Sequence, residues 1–597
     1  MKDTKGIFEK RSAIYLEKVA ELKTRSKQLS ATRIFTFIFG TILIVQFANT
    51  GQSSLFLVSS LIFVVAFIWL LKRHNGVRNE LNFQMALLEV NKEEIDRKDL
   101  NLKELESGNE FYDAQHPYHE DLDVFGKHSL FQFINRSATN DGKNRLANWL
   151  SQPADQDTIL SRQHAVKELI DKIDFRQNFQ AYGKVSEDEK GSKEKFLQWL
   201  KNEDKLPKAL FFRAVLLIFP AFTIIAFAAY ALDYLPIGWG FLVVVFNMAI
   251  LGVAFNPLND IGSQTQNGYL SVGVLKDLIE LVEKESFENE GLVKLQGSMS
   301  HKSQSAAKTL TQLKFLLDTI HNRANMMYII FDLLLILDVY WLVRIYRWKE
   351  QNKLELQQWF DVMAEFDALN SLAGYAFANP ESTFPKMNND DFNISATQLG
   401  HPLIHASKRV NNDFNFQGRG GICLITGSNM SGKSTFLRTL GINMILAQAG
   451  APVIATDMAF SRTNVFTSMR TTDELEENVS SFYAELQRLK KLLESISTDR
   501  PTLFMIDEVL KGTNSEDRHK GAIALIKQLN KAHAFGLVST HDLVLGNLAN
   551  QLNGVKNYSF NSVIKGDEII FDYTLTEGIC KSFNATKLMQ NMGIEID

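Results

Sequence analysis

The sequence predicts an α/β domain in the C-terminal third of the chain, joined to an all-helical region that carries two transmembrane helical hairpins. Two observations predict this architecture. After residue 396, short apolar runs that end in glycine, acidic residues or histidine alternate with stretches of helical spacing. Before that point, four long runs are nearly free of charge and form two pairs with short connections. The 597 residues suffice for two soluble domains and a membrane part.

The first motif of the α/β region is a complete phosphate-binding loop. Residues 427–434 fit the pattern G-x-x-x-x-G-K-S, follow an apolar run at 421–426 and precede helical spacing over 435–447. In such a loop the backbone N–H groups point at phosphates, the lysine reaches the β and γ oxygens and the last serine ligates Mg²⁺. The order of strand, loop and helix favours a nucleotide site over an ordinary Gly-Ser turn. The residues predicted to bind ATP are Gly427, Ser428, Asn429, Met430, Ser431, Gly432, Lys433, Ser434 and Thr435.

Two further apolar runs end in residues suited to hydrolysis. Residues 501–508 end in a pair of carboxylates, in which Asp507 is expected to join Ser434 in holding the Mg²⁺ shell. Glu508 is expected to orient or deprotonate the attacking water. The apolar run at 536–541 ends in His541, which is predicted to contact the γ-phosphate. The alternative is that a histidine at a strand end has a purely structural role. The predicted catalytic residues are therefore Glu508 and His541.

These motifs resemble the ATPase domain of the MutS mismatch-repair family. The resemblance lies in residues 426–438, 507–515 and 539–541, and the pair Asn429-Met430 is its most discriminating detail. Residues 450–455 resemble the strand that follows the loop in that family, and 477–483 resemble its serine-bearing segment. That segment completes the ATP site of the partner subunit, which implies that Ser480 and Ser481 act in trans. The alternative is that these serines only N-cap a helix predicted over 482–496.

The resemblance extends upstream, so that it covers residues 120–180 and 360–595. Residues 121–126, 129–139 and 146–150 resemble the start of the family's helical core and lever region, and 401–404 resemble the segment that leads into the ATPase. The resemblance implies an α/β P-loop ATPase domain of the ABC type, ATP and Mg²⁺ as cofactors, and a homodimer formed through the ATPase domains. The family's mismatch-reading domain, dimerisation tail and nuclease tail have no counterpart in the pattern, and DNA as a partner rests on the resemblance alone.

Four apolar runs predict the two membrane hairpins. They occupy residues 34–48 and 55–71, then 210–232 and 237–255. All-round apolarity over ~20 residues suits a hydrocarbon core of ~30 Å better than a half-wet helix, although buried core helices are the soluble alternative. The run at 34–48 is short for a span, so a re-entrant loop stays open for the first hairpin.

Charge predicts the orientation of these hairpins. Lysines and arginines flank both pairs of runs, whereas neither tight connection contains any. By the positive-inside tendency, the termini and the ATPase lie in the cytoplasm and the protein is a multi-pass protein of the cytoplasmic membrane. The first thirty residues do not read as a signal peptide. Cys423 and Cys580 lack metal-ligand spacing and suit a reducing cytosol.

A fifth apolar run, at 326–343, contains Asp332 and Asp338. Each aspartate costs about 2.5 to 3.5 kcal/mol at the centre of an inserted helix, and a fifth span would put the ATPase on the wrong side of the membrane. We therefore predict a buried lever helix here. The predicted segments are a cytoplasmic helix at 1–30, hairpin 1 at 31–73, a helical region at 74–205, hairpin 2 at 206–256, a helical core and lever region at 257–395 and the ATPase domain at 396–597.

Two classes of function remain open. A net charge of −4 and a pI near 6.4 give no global basic footprint for nucleic acid. The first class is a membrane-anchored MutS-like ATPase that switches a dimeric clamp on mismatched or branched DNA, or on an unknown protein partner. The second is an ATP-driven transporter or membrane-remodelling ATPase. Transport is disfavoured because the Leu-Ser-Gly-Gly-Gln signature is missing, the runs contain no charge beyond Arg213, and four spans are few for a pathway.

Overall fold

The computed structural model describes residues 3–50, 53–185, 192–202, 209–266, 268–299, 305–388, 392–470, 481–496, 500–565 and 568–581. The chain divides into two compact units. The first, which we call the sheet unit, comprises Met1–Val77, Leu87–Arg176 and Asp367–Asp597. The second, the helical unit, comprises Arg78–Ala86 and Gln177–Phe366. The observed architecture is helical in its N-terminal part and α/β in its C-terminal part, as the sequence predicts.

Two helices of 46 residues each, α1 (Thr4–Asn49) and α2 (Ser53–Lys98), open the chain. Asp3 begins α1 because its carboxylate accepts the N–H of Gly6 at 2.9 Å. Each helix carries both a charged stretch and an apolar stretch without a break, so the predicted boundaries near residues 30 and 73 fall inside continuous helices. Neither helix contains proline, and nothing in the sequence interrupts the hydrogen-bond ladder.

The remaining elements follow in chain order. The helices are α3 (Leu130–Ile134), α4 (Asn140–Ser151), α5 (Gln156–Asp171), α6 (Ile173–Val185), α7 (Ser192–Lys201), α8 (Ala209–Ala231), α9 (Gly238–Thr265), α10 (Gly268–Lys284), α11 (Glu290–Gly297), α12 (Ala306–His321), α13 (Met326–Leu335), α14 (Leu337–Ala378), α15 (Lys433–Ala449), α16 (Ser481–Ser495) and α17 (Ser515–Lys531). The strands are β1 (Lys386–Met387), β2 (Asn393–Leu399), β3 (Asn412–Gln417), β4 (Ile422–Gly427), β5 (Asp457–Phe460), β6 (Asn464–Ser468), β7 (Thr502–Asp507), β8 (Phe535–Thr540), β9 (Val555–Lys565) and β10 (Glu568–Glu577).

The main sheet of the sheet unit has six strands in the order β10-β9-β4-β8-β7-β6. Strands β9, β4, β8, β7 and β6 are parallel, and β10 is antiparallel to β9. β4 and β8 are buried at every residue, which explains why they read as continuous apolar runs. The parallel pairing brings the carboxyl ends of β4, β7 and β8 to one edge, where a ligand crevice is expected.

A second sheet of four strands, in the order β1-β5-β2-β3, belongs to the same unit. The strand predicted at 450–455 does not form, and only Val453 makes an isolated bridge, to Thr383. Gly450, at φ 87°, ends α15, and Pro452 has no N–H to give to a ladder. The prediction was wrong by a few residues, because pairing resumes at β5.

The helical unit contains the apolar helices α8 and α9. The prediction of a single buried helix over 326–343 was wrong, because the chain breaks at Ile336 into α13 and α14 with a bend of 88°. Ile336 takes a left-handed conformation, and no residue of α13 is buried. Among the described residues, three helices are long and apolar enough to cross a membrane, or four if α13 and α14 form one broken span. The stretch Val215–Ala231 of α8 is also apolar but shorter.

Candidate nucleotide site

The phosphate loop connects β4 to α15 at the carboxyl edge of the main sheet. Gly432 has φ 109° directly before the first residue of α15, a conformation that side chains with a Cβ rarely adopt. The turn leaves the first N–H groups of α15 without intrahelical partners, which suits them to bind anions. The hydroxyls of Ser428 and Ser431 are buried and have no hydrogen-bond partner among the described residues. These free polar groups fit the oxygens of a bound phosphate chain.

Lys433 is the cation of this loop. Its side chain is 5% exposed, and Nζ donates to the carbonyls of Gly427 at 3.1 Å and Ser428 at 3.0 Å. Burial lowers the pKa of Lys433, while the nearby Asp507 and Glu508 act in the opposite direction. The ammonium is thus held beside the loop by backbone oxygens, where it can meet phosphate charge.

Asp507 and Ser434 meet at the carboxyl edge, as the sequence predicts for a pair of metal ligands. Ser434 Oγ donates to Asp507 Oδ2 at 2.5 Å, and the hydroxyl of Ser539, on β8, donates to the other carboxylate oxygen. A carboxylate beside a hydroxyl is a donor set that suits Mg²⁺, which takes one or two carboxylates and completes its shell with water and phosphate. The residues therefore fit the predicted metal.

Glu508 and His541 form the second pair. His541 Nε2 lies 2.7 Å from Glu508 Oε1 and 3.5 Å from Lys433 Nζ. The hydrogen bond with His541 lowers the pKa of Glu508 to about 2, and Lys511, at 3.5 Å, acts in the same direction. Glu508 also has φ 54°, an unusual conformation for a residue with a Cβ. A carboxylate that is ionised at neutral pH and sits beside the phosphate loop is suited to orient a water.

A cavity of about 480 Å³ opens next to these residues. One wall consists of the phosphate loop and Glu508, and the other comes from the segment around β2 and β3 and from Tyr573. His401, in that second wall, has a pKa lowered to about 4, chiefly by burial. Sequence reasoning missed this wall, apart from the resemblance at 401–404. The side chains of the second wall are Leu399, His401, Ile404, Lys408, Arg409, Val410, Asn412 and Tyr573.

The predicted trans serines fall outside what the structure describes. Ser480 lies outside the described residues, and Ser481 begins α16 with a side chain that is also outside them. The first turns of α16 are anchored to the segment that follows β7. Glu485 accepts the backbone N–H groups of Leu510 and Lys511, at 2.5 and 3.1 Å. A role in trans for the serines stays a prediction.

An aspartate pair links the nucleotide site to the segment before α3. Asp121 accepts from the Thr467 hydroxyl at 2.7 Å and from the N–H of Arg470 at 2.8 Å. Asp123 bridges two arginines, Arg438 of α15 at 3.1 Å and Arg470 at 2.9 Å. Because Arg438 lies on the helix that starts at the phosphate loop and Arg470 follows β6, Asp123 joins α15 to the segment after β6. Apart from the resemblance at 121–126, nothing in the sequence pattern pointed to this junction.

Comparison with known proteins follows the same division of the chain. Residues 423–594 match the family model described as MutS domain V, and residues 97–212 match MutS domain III. The chain is 30% identical over 245 residues to the DNA mismatch repair protein MutS of Natronomonas pharaonis, which is 40% of this chain and 28% of that protein. MutS protein homolog 4 of Mus musculus is 31% identical over 226 residues, 36% of this chain and 23% of that protein.

A third relative, the endonuclease MutS2 of Bacillus velezensis, is 28% identical over 246 residues. The match is 41% of this chain and 31% of that protein. The chain thus spans less than a third of the length of these relatives. The region that matches MutS domain V, residues 423–594, includes the phosphate loop, the carboxylate pair and the histidine described above.

Proposed function

The chain belongs to the MutS family, and from this premise we propose that it binds and hydrolyses ATP at the site between β4, β7 and β8. The observation that carries the proposal is the convergence of Lys433, the Ser434–Asp507 pair and the Glu508–His541 pair beside one cavity. Phosphoryl transfer needs little more than positioning and charge stabilisation, and this set supplies both.

Each residue has a defined task in this proposal. Lys433 and the loop N–H groups bind the phosphate chain, with the free hydroxyls of Ser428 and Ser431 as additional partners. Ser434 and Asp507 would hold Mg²⁺, which supplies positive charge to the phosphate oxygens when bound. Glu508 orients the attacking water and accepts its proton, and His541 positions the Glu508 carboxylate through the 2.7 Å contact.

We further propose that the ATPase is anchored in the cytoplasmic membrane and works as a dimer. The apolar stretches of α1, α2, α8 and α9 support the anchoring by length and composition, and their flanking charges support a cytoplasmic ATPase. Nucleotide binding would close two ATPase domains, and hydrolysis would reopen them, so that the helical regions move against a partner. The matched protein of Natronomonas pharaonis is named for DNA mismatch repair, which supports mismatched DNA as the first partner to test, with branched DNA and a protein as the others.

A transporter is less well supported. Residues 215–231 and 238–255 contain no Asp, Glu, Lys or Arg. Charged groups inside the membrane mark most substrate and ion pathways, and these stretches of α8 and α9 supply none. Membrane remodelling by the same ATPase remains an alternative that the partner experiment addresses.

The test uses the full chain, purified in detergent and returned to lipid. We expect Mg²⁺-dependent ATP hydrolysis that Glu508→Gln lowers by about 10²- to 10⁴-fold while nucleotide binding persists, because only the water-orienting carboxylate is lost. Glu516→Gln, on an exposed helical ion pair, is the matched control. Hydrolysis by Glu508→Gln at the wild-type rate would show that Glu508 is not the base.

Partner choice is tested in the same preparation. Homoduplex, mismatched and branched DNA are added at matched concentration and two salt levels, and hydrolysis is followed. Stimulation by one DNA structure that weakens as salt rises supports DNA as the partner. An equal response to all DNAs would contradict it and leave a protein partner or membrane remodelling.

A further inference from the structure

Helix α13 carries an apolar face that no other described element covers. None of its residues is buried, and Met326 is 77% exposed. Met327, Ile330 and Phe331 share one face by their helical spacing and are 46–59% exposed. On a water-soluble surface, a contiguous apolar patch of this kind marks an interaction site. The question is what occupies it.

The C-terminal end of α13 is tied to the hairpin of α8 and α9. Asn247, which is fully buried on α9, donates from Nδ2 to the carbonyl of Leu333 at 2.8 Å and to Thr223 Oγ1 of α8 at 3.0 Å. The last carbonyls of a helix have no intrahelical donor. In hydrocarbon such a carbonyl needs another donor, because water is absent there. Asn247 lies near the middle of its apolar run and provides that donor.

The other end of α13 lies near the polar end of α9. Arg323, just before α13, points Nη1 at Asn259 Oδ1 at 3.5 Å. From Asn259 to Asn247 the distance along α9 is about 18 Å at 1.5 Å per residue. Over its ten residues, about 15 Å, α13 thus advances from the polar end of α9 towards the middle of its apolar run. That length is half of a hydrocarbon core of about 30 Å.

The break after α13 turns the chain sideways instead of continuing the helix. The carboxylate of Asp332 accepts the N–H of Asp338 at 2.7 Å, which caps the start of α14. Asp338 in turn accepts from Arg323 at 2.6 Å and from the Tyr328 hydroxyl at 2.7 Å. Both aspartates therefore have partners within the break, and the insertion penalty of an isolated charge does not apply to them. The 88° bend turns α14 away from the direction of α13.

We propose that α13 is a re-entrant membrane helix. It enters the bilayer beside α9 and reaches the level of Asn247, and the chain after it returns to the side from which it entered. Its face of Met327, Ile330 and Phe331 contacts lipid acyl chains. The proposal rests on the membrane placement of α8 and α9 in the proposed function. Lipid is the occupant because α13 packs directly on those apolar helices and the Leu333 carbonyl near its end accepts from Asn247, a partner that hydrocarbon itself cannot supply. A chain that returns leaves the residues before and after α13 on the same side of the membrane.

Depth is measured with a nitroxide attached to Ile330→Cys in the full chain, reconstituted in phosphatidylethanolamine–phosphatidylglycerol vesicles. The native Cys423 and Cys580 are buried, and unsubstituted protein gives the background. Val245→Cys on α9 and Leu354→Cys on α14 are matched exposed controls. We expect Ile330→Cys to collide with oxygen more than with a water-soluble nickel chelate, as Val245→Cys does, and Leu354→Cys to show the reverse.

Two results would overturn the proposal. If the label at Ile330 collides with the nickel chelate as often as the label at Leu354, the face is in water. If it collides with neither reagent, protein covers the face, and a second copy or another partner replaces lipid as the occupant.

Sidedness distinguishes a re-entrant helix from a full span. Ala324→Cys and Glu350→Cys flank the segment, and Asp233→Cys marks the tip of the α8–α9 hairpin. With an impermeant maleimide, we expect the first two to react only in inverted vesicles and Asp233→Cys only in intact cells. Reaction of residues 324 and 350 from opposite sides overturns the re-entrant path alone. Failure of Asp233→Cys to react from outside overturns the membrane placement, and this inference with it.

The tie through Asn247 has its own variant. Asn247→Leu keeps the approximate volume and removes the donor, so the end of α13 loses its partner. We expect the label at Ile330 to become more mobile and more accessible to the nickel chelate, with ATP hydrolysis in detergent unchanged. No change in the label would show that Asn247 does not hold α13.

Discussion

The nucleotide site and the α8–α9–α13 assembly both contain buried polar groups, but these groups are used differently. At the nucleotide site, the hydroxyls of Ser428 and Ser431 are left without partners among the described residues. In the assembly, the amide nitrogen of Asn247 donates to Thr223 and to a backbone carbonyl, and Asp338 is bonded by Arg323 and Tyr328, whereas Asn247 Oδ1 has no partner among the described residues. The nucleotide site thus keeps free hydroxyls for a polar ligand, whereas the assembly satisfies this amide donor and this carboxylate from within the protein, as the proposed membrane placement requires.

The largest expected effect comes from removing the cation of the nucleotide site. Lys433→Ala removes the only ammonium of the loop, and each charged hydrogen bond to a phosphate is worth about 1.5–3 kcal/mol. We expect ATP affinity to fall by about 10- to 150-fold for each such bond lost, measured by equilibrium binding of a fluorescent nucleotide. The reconstituted variant should still give the lipid-like label at Ile330, because the two regions take their partners separately.

Lys490→Ala is the control for this comparison, since Lys490 forms an exposed ion pair with Glu494 on α16. It should bind ATP as the wild type does. Wild-type affinity in Lys433→Ala would mean that the loop does not hold the phosphates.

The sequence predicted which side chains lie together at the carboxyl edge of the main sheet, because the signal for each of them is local. The loop residues, Asp507, Glu508 and His541 each sit at the end of an apolar strand, and parallel pairing brings those ends together. The break at Ile336 was not predictable in this way. It depends on Asp332 and Arg323 meeting Asp338, and on Asn247 reaching Leu333 from 86 residues away in the chain. The second wall of the cavity was missed for the same reason, because Tyr573 lies far in sequence from the loop it faces.

A second large effect is expected if the serines of one subunit complete the nucleotide site of another. The double variant Ser480→Ala/Ser481→Ala should lose most hydrolysis while still binding ATP, because the serines are predicted to act on the partner's γ-phosphate. Mixing it with Lys433→Ala subunits should restore part of the activity, since one composite site then has all its residues. Normal hydrolysis by the serine variant alone would restrict these serines to capping α16.

A smaller effect is expected at the junction between the nucleotide site and the segment before α3. Asp123→Asn weakens the ion pairs with Arg438 and Arg470, each worth about 0.5–1 kcal/mol at a part-exposed position. We expect ATP to alter hydrogen exchange in α3 and α4 of the wild type, and about two- to fivefold less in the variant. ATP affinity should change less than twofold. An unchanged response in α3 and α4 would exclude Asp123 as the link.

The smallest expected effect is on stability and comes from the ionisation of Glu508. The hydrogen bond with His541 lowers the folded pKa of Glu508 to about 2, below its ordinary value of 4.5. A depressed carboxylate stabilises the fold above its unfolded pKa, and that contribution is lost as the pH falls from about 4.5 to about 2. The side chain is 33% exposed, so solvent reduces the effect. The Tm difference between wild type and Glu508→Gln in detergent should therefore be constant from pH 8 to pH 5 and shift towards the variant by pH 3. A difference that stays constant down to pH 3 would mean that His541 does not stabilise the ionised carboxylate of Glu508.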